Sequence, residues 1–140
     1  MTSVKTMLDT KVLAELLRPG ADGRVIAYVA SLADPIISAI AIHELVFGVG
    51  LLPDGQRKAR LGARIDELRL RFEDRTVPID GEVARIAGNL RAAEVRAGFA
   101  LDGMDALIAA CAIVSSARLA TRNTKDFERM GLDLVNPWTE

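Results

Sequence analysis

Leu101-Asp102-Gly103-Met104-Asp105-Ala106-Leu107-Ile108-Ala109-Ala110-Cys111-Ala112-Ile113-Val114 is the stretch on which the fold turns. From Ala106 to Val114 it is apolar all the way round, which suits a helix buried on most sides. Asp102 is placed to cap that helix, with Gly103 at its tight entry. Asp105 then falls in the first turn, where the helix dipole favours negative charge. A few residues on, Leu119–Thr121 reads as a short strand ending in a polar turn that carries Asn123 and Asp126. In an open parallel sheet the C-terminal strand ends and the N-termini of following helices share one edge, where ligands bind. This segment alone brings at least two carboxylates to such an edge.

Working outward, the N-terminal side repeats the pattern. Val4–Leu8 reads as a first strand, and Asp9 or Thr10 caps a helix over Lys11–Leu17 that is closed by Pro19-Gly20. Asp22 caps a second helix, which Pro35 is expected to end, and the β-branched run Ile36–Ile40 reads as a second strand. Ala41–Leu52 reads as a helix with Ile42, Leu45, Val46 and Val49 on a buried face and Glu44 about one turn in. After the Pro53-Asp54-Gly55 turn, Leu61, Ile65, Leu68 and Phe72 recur at amphipathic spacing. The other face of that helix is rich in arginine. Thr76–Ile79 reads as a third strand whose Pro78 argues against a central, fully paired position. Asp80 caps a long helix over Glu82–Ala97 that stops at Gly98, and Leu132–Val135 supplies a last strand. Alternation of this kind predicts an α/β fold whose central, mostly parallel sheet of four to five short strands is covered by helices on both faces, a three-layer α/β/α arrangement.

The chain has 140 residues, half of them hydrophobic and 26% charged, which predicts one domain over 1–140 and no second core of ordinary size. The net charge of -1 gives no overall basic field, so any nucleic-acid ligand must be held by a local patch. Cys111 stands alone, which excludes a disulfide framework. Met1-Thr2-Ser3-Val4-Lys5 lacks the apolar run of a secretory signal. No apolar run approaches the ~18–20 residues that span a bilayer, so a soluble cytoplasmic protein is the expectation.

Three carboxylates thus occupy equivalent places: Asp9 after strand one, Glu44 behind strand two, and Asp105 opening the buried helix. Asp126 follows the fourth strand, with Asn123 beside it. Carboxylates gathered on one edge repel unless a cation or a shared proton offsets them. Oxygen-only ligands around an open site suit Mg²⁺, with Mn²⁺ as a substitute. Such a metal can deprotonate a water and stabilise the leaving oxygen of a phosphodiester. Residue chemistry alone therefore reaches metal-assisted phosphoryl chemistry.

At these residues the sequence resembles the PIN-domain family. The resemblance is carried by Met7–Glu15, Glu44, Asp105–Ala110 and Thr121–Phe127, in order and at the right spacing over nearly the whole chain. More narrowly it resembles the VapC toxins, and Glu44–Pro53 followed by an arginine-rich helix resembles the subgroup that includes the FitB-like proteins. The resemblance implies a three-layer PIN-like fold and an Mg²⁺-dependent endoribonuclease, the toxin of a type II toxin–antitoxin pair. By that pattern Asp9, Glu44 and Asp105 are the metal ligands and Asp126 a fourth catalytic acid, the choice between Asn123 and Asp126 staying open. Thr10 and Thr121 would orient the cluster, with Asn123 behind it. The implied partners are RNA, a cognate VapB-type antitoxin and a second copy of the chain. Lys11 stands where the family often has Asn or Ser.

Each acidic residue also has an ordinary reading. Asp9 and Asp102 can be helix caps, Asp105 the third residue of a capping pair, and Asp126 the start of a short helix. Glu44 is the most telling, because a carboxylate on an apolar helical face is costly without a partner. His43 reads as a partly exposed helix residue, and no His–Cys metal spacing exists. Of the basic helix, Arg57, Lys58 and Arg64 are the local candidates for RNA backbone contact, against a plain solvated face. Two rivals compete with the nuclease. One is a non-catalytic PIN-like binding module. The other is aspartyl-phosphate transfer on Asp9, for which Lys11 stands where a second Asp is wanted.

Overall fold

The computed structural model describes residues 4–140. The first three residues of the stretch read for a secretory signal lie outside that range. Among the described residues the order is β1 (Lys5–Leu8), α1 (Thr10–Leu17), α2 (Gly23–Ala30), β2 (Asp34–Ser38), α3 (Ala39–Gly50), α4 (Gln56–Arg71), a 3-10 turn (Glu73–Arg75), β3 (Thr76–Val77), α5 (Gly81–Arg96), α6 (Gly103–Val114), β4 (Arg118–Ala120), α7 (Thr124–Phe127) and β5 (Leu134–Val135). The five strands form one sheet in the order β3-β2-β1-β4-β5, and every pairing is parallel.

Helices on both faces explain why neighbouring strand residues are all apolar. Met7, Ile36 and Leu119 point into one cluster with α5 and α6, while Leu8, Ile37 and Ala120 point into the other with α1 to α4. This is the period-two alternation of a sheet buried on both sides. The stretch that decided the fold lies where its composition demands: Ala106, Ile108, Ala109, Ala110, Cys111 and Ala112 of α6 are all buried. Four alanines in that set let α6 lie close against the sheet. Asp102 caps α6 from its side chain, and Asp80 does the same for α5. Gly98, at φ +88°, lets Phe99 N–H donate back to Glu94 O at 2.9 Å, closing α5 in a left-handed turn that glycine adopts without strain.

Three expectations needed correction. α2 stops at Ala30, and Pro35 lies inside β2, paired with Thr6 of β1. β3 pairs with β2 only from Ile37 onward, so the other flank of Pro35 is open and the absent N–H costs little. Ala39 and Ile40 belong to α3, because the Ser38 hydroxyl accepts the Ile40 N–H at 3.2 Å and caps the helix. Val46 faces outward at 52% exposure. Pro78 does lie beside an edge strand, as its lack of a donor required.

Arg64 fixes α4 against α1. Its guanidinium donates to the carbonyls of Leu17 at 2.6 Å and Leu16 at 3.1 Å, groups that an α-helix end leaves without partners. Arg64→Ala is expected to lower the unfolding free energy by about 1 kcal/mol. Urea titration beside Arg60→Ala checks it, and equal midpoints for the two variants would remove the capping role.

Candidate active site

β1 ends at Leu8, and the next residue turns the chain into α1. Asp9 takes extended backbone angles, and its Oδ1 accepts the Thr10 N–H at 2.8 Å. Its Oδ2 accepts the Thr121 hydroxyl at 2.7 Å. Asp9 N–H donates to Ala120 O at 3.0 Å, and Thr121 N–H to Val135 O at 2.9 Å. The ends of β5, β4 and β1 are thus tied in series, and Asp9 is held at 4% exposure with both oxygens engaged. Burial raises its pKa; the Thr121 and Thr10 bonds offset part of that, Glu44 adds to it, and Lys11 opposes it.

Thr10 makes the link to the second strand. Its hydroxyl donates to Glu44 Oε1 at 2.7 Å, so the first residue of α1 holds a carboxylate on α3. Glu44 is half-buried, while its neighbour His43 is exposed, as expected of a helix residue facing away.

Asp105 is the exception among the three. Its backbone N–H lies 3.4 Å from Asp102 Oδ1, but its carboxylate accepts no hydrogen bond among the described residues. Burial pushes its pKa up to about 6, and the charges of Asp9, Asp102, Asp126 and Glu44 push in the same direction. Four carboxylates therefore act on a fifth that has no salt bridge among the described residues. Asp126 is exposed in α7 yet near enough to contribute. Asn123 precedes α7 and makes no side-chain cap; its N–H donates to the Thr121 hydroxyl at 3.1 Å. Asp102 joins this acidic field, a part that the capping reading missed. The signal was available: Asp-x-x-Asp at a helix start places both carboxylates on one side.

The arrangement suits a hard cation in its donor set, since every group is a carboxylate oxygen. Among the described residues no three His, Cys, Asp or Glu side chains stand close enough to form a ready cage. An open cluster is what uncompensated like charges favour, and Mg²⁺ is commonly held by one or two carboxylates with water completing its shell.

The basic residues of α4 do not join this cluster. Arg64 caps the end of α1 opposite to Asp9, Lys58 donates to Gly50 O and Asp54 Oδ1 at 3.3 Å each, and Arg57 borders a depression with Arg18 and Arg60. No described helix is long and apolar enough to cross a membrane.

Comparison with known proteins agrees with the fold. The PIN domain family model matches residues 6–132. The chain is 34% identical over 135 residues to the VapC ribonuclease Y4jK of Sinorhizobium fredii, covering 94% of this chain and 96% of that protein. It is 38% identical to the toxin FitB of Neisseria gonorrhoeae, covering 94% and 97% of the two chains. The crystal structure of FitAcB from Neisseria gonorrhoeae superposes with a TM-score of 0.88 at 36% identity, covering 96% of this chain and 99% of that one. FitAB bound to an IR36 DNA fragment gives a TM-score of 0.86 at 37% identity, with 95% of each chain covered. With the parallel sheet, the acidic edge and these relatives in agreement, the chain belongs to the PIN domain family.

Proposed function

We propose that this protein is a metal-dependent endoribonuclease and the toxin of a toxin–antitoxin pair. The observation that carries the reading is the half-buried Asp105 carboxylate, which accepts no hydrogen bond among the described residues and lies in the field of four other acidic groups at the C-terminal edge of the sheet. Evolving such an edge without a counter-ion would only destabilise the fold, whereas a divalent cation turns the repulsion into binding. Bound there, Mg²⁺ or Mn²⁺ would supply an activated water and charge to stabilise a leaving oxygen.

The chain's own residues have distinct tasks in this reading. Asp9, Glu44 and Asp105 would hold the cation. Thr121 and Thr10 keep Asp9 and Glu44 at fixed angles through their hydroxyls. Asp126, more exposed, would accept a proton from an attacking water. The relatives named for ribonuclease and toxin activity support the assignment to RNA cleavage.

The partner half of the reading draws on the surface away from this edge. Two adjoining depressions of about 170 and 320 Å³ share Arg64 and run between α1, α2 and α4. Their floor includes Leu16, Leu17, Val29 and Leu61, and Arg57, Arg60 and Arg71 stand along the rim. Such a groove fits an amphipathic antitoxin segment with acidic residues along its edge. Phe47 of α3 and Leu51 just after it, at 61% and 70% exposure, give a second copy an apolar face to cover.

The test is cleavage of a single-stranded RNA by the purified chain. Activity should require Mg²⁺, stop with EDTA, return with Mn²⁺, and vanish in Asp9→Asn. Cleavage that persists with EDTA, or in Asp9→Asn, would refute the assignment.

A further inference from the structure

The acidic edge that would attract a metal also repels a polyanion. A chain of net charge -1 must bring its own cation to that edge if RNA is to approach, and most cations nearby are already committed. Arg122 lies over the Trp138 ring, 4.8 Å from its centroid. Arg129 lies over Phe99 and 3.4 Å from Glu94. Farther off, at the other end of α1, Arg18 is bound to Glu15.

Lys11 is different. It is exposed in the first turn of α1, two residues after Asp9. It has no salt bridge or hydrogen bond from its ammonium among the described residues, yet its charge acts on the Asp9 carboxyl. A cation in the first turn of a helix opposes the helix dipole, so helix stability gives no reason for lysine there. Its neighbours Asp9 and Thr10 are turned inward, to Thr121 and to Glu44, leaving Lys11 as the side chain of this turn directed to solvent. Its place is therefore the rim of the acidic edge, with its amine free to reach outward.

Resting on the nuclease reading, we infer that Lys11 is a substrate-positioning residue that holds an RNA phosphate beside the acidic cluster. The same charge must work against the metal, since a lysine that attracts phosphate repels a divalent cation. These opposite effects separate positioning from a purely structural role. A counter-ion that merely quiets the carboxylates would change metal affinity and leave RNA untouched.

The experiment measures both on Lys11→Gln and Lys11→Arg, with Lys5→Gln at the opposite edge of the sheet as a control for net charge. Binding of a labelled single-stranded RNA is followed by anisotropy across a KCl series, in an Asp105→Asn background to prevent cutting. Mn²⁺ binding is followed by calorimetry without RNA. Lys11→Gln is expected to weaken RNA binding roughly 5-fold at low salt and to reduce the log–log salt slope by about 0.7, one single-strand phosphate contact. It should tighten Mn²⁺ binding roughly 3-fold, and in the cleaving protein it should raise KM with kcat little changed. Lys11→Arg should retain RNA affinity, and Lys5→Gln should alter neither quantity. An unchanged salt slope in Lys11→Gln, or an equal change in Lys5→Gln, overturns the inference while RNA cleavage by the unaltered chain leaves the nuclease reading standing. Failure of the unaltered chain to bind or cut RNA overturns both.

Discussion

Asp105→Asn is expected to abolish RNA cleavage, by at least ~100-fold, and at the same time to make the metal-free protein more stable at neutral pH. The second effect follows from the acidic field. The Asp105 carboxyl has its pKa raised from 3.8 to about 6, chiefly by burial and then by its carboxylate neighbours. A carboxyl that binds its proton more tightly when folded favours the fold at low pH. That contribution is complete below about pH 4, is lost between about 4 and 6, and stays lost above. A shift of two units corresponds to about 2.7 kcal/mol before allowance for solvent, and for a partly exposed group about 1–2 kcal/mol is the reasonable size. Asparagine carries no charge, so the variant should escape most of this loss, less a smaller dipole contribution at the start of α6. Urea titrations at pH 4.5 and 7.5 without metal, compared between the two proteins, measure the difference. A variant less stable than the parent at pH 7.5 would mean that the Asp105 charge is already compensated in the folded protein.

Thr121→Val should act in the opposite sense and cost about 2–3 kcal/mol. It removes the hydroxyl that donates to Asp9 Oδ2 and also accepts the Asn123 N–H. Asp9 is buried, so no water replaces the missing donor, and an ionised carboxylate would be left short of a partner. The Thr121 bond is the largest influence holding the Asp9 pKa down against burial; without it that pKa rises further. The penalty should therefore be largest at neutral pH and shrink on acidification, as Asp9 takes up a proton and no longer needs the bond. Thermal unfolding at several pH values checks this, with Thr121→Ser as the variant that keeps the hydroxyl. Equal losses in the Val and Ser variants would place the cost in packing.

The acidic residues of the candidate site were legible because they follow from where parallel strands end. Asp9 and Asp105 sit at the starts of helices, and helix starts in such a sheet lie on the ligand edge. α6 was legible from composition alone, since a run apolar on all sides has few places to go. α3 was harder for the same reason. With Ile40, Ile42, Leu45, Val46, Phe47 and Val49 in one helix, hydrophobic spacing does not say which side faces the sheet, and Val46 was assigned to the wrong one. At β2 the β-branched run drew the strand too far, because Ser38 is equally a strand end and a helix cap. The threonine bonds to Asp9 and Glu44 could be expected only from the family resemblance. They join residues 112 and 34 positions apart, and no local pattern encodes such a pairing.

That separation along the chain also has a bearing on synthesis. β4 supplies the neighbour of β1 on the side away from β2, and Thr121 follows it directly. Until those late residues emerge from the ribosome, Asp9 has neither its buried setting nor its Thr121 anchor. Pairings of this range close late, after the local ones. The proposed site is therefore whole only once Thr121 has emerged and joined Asp9.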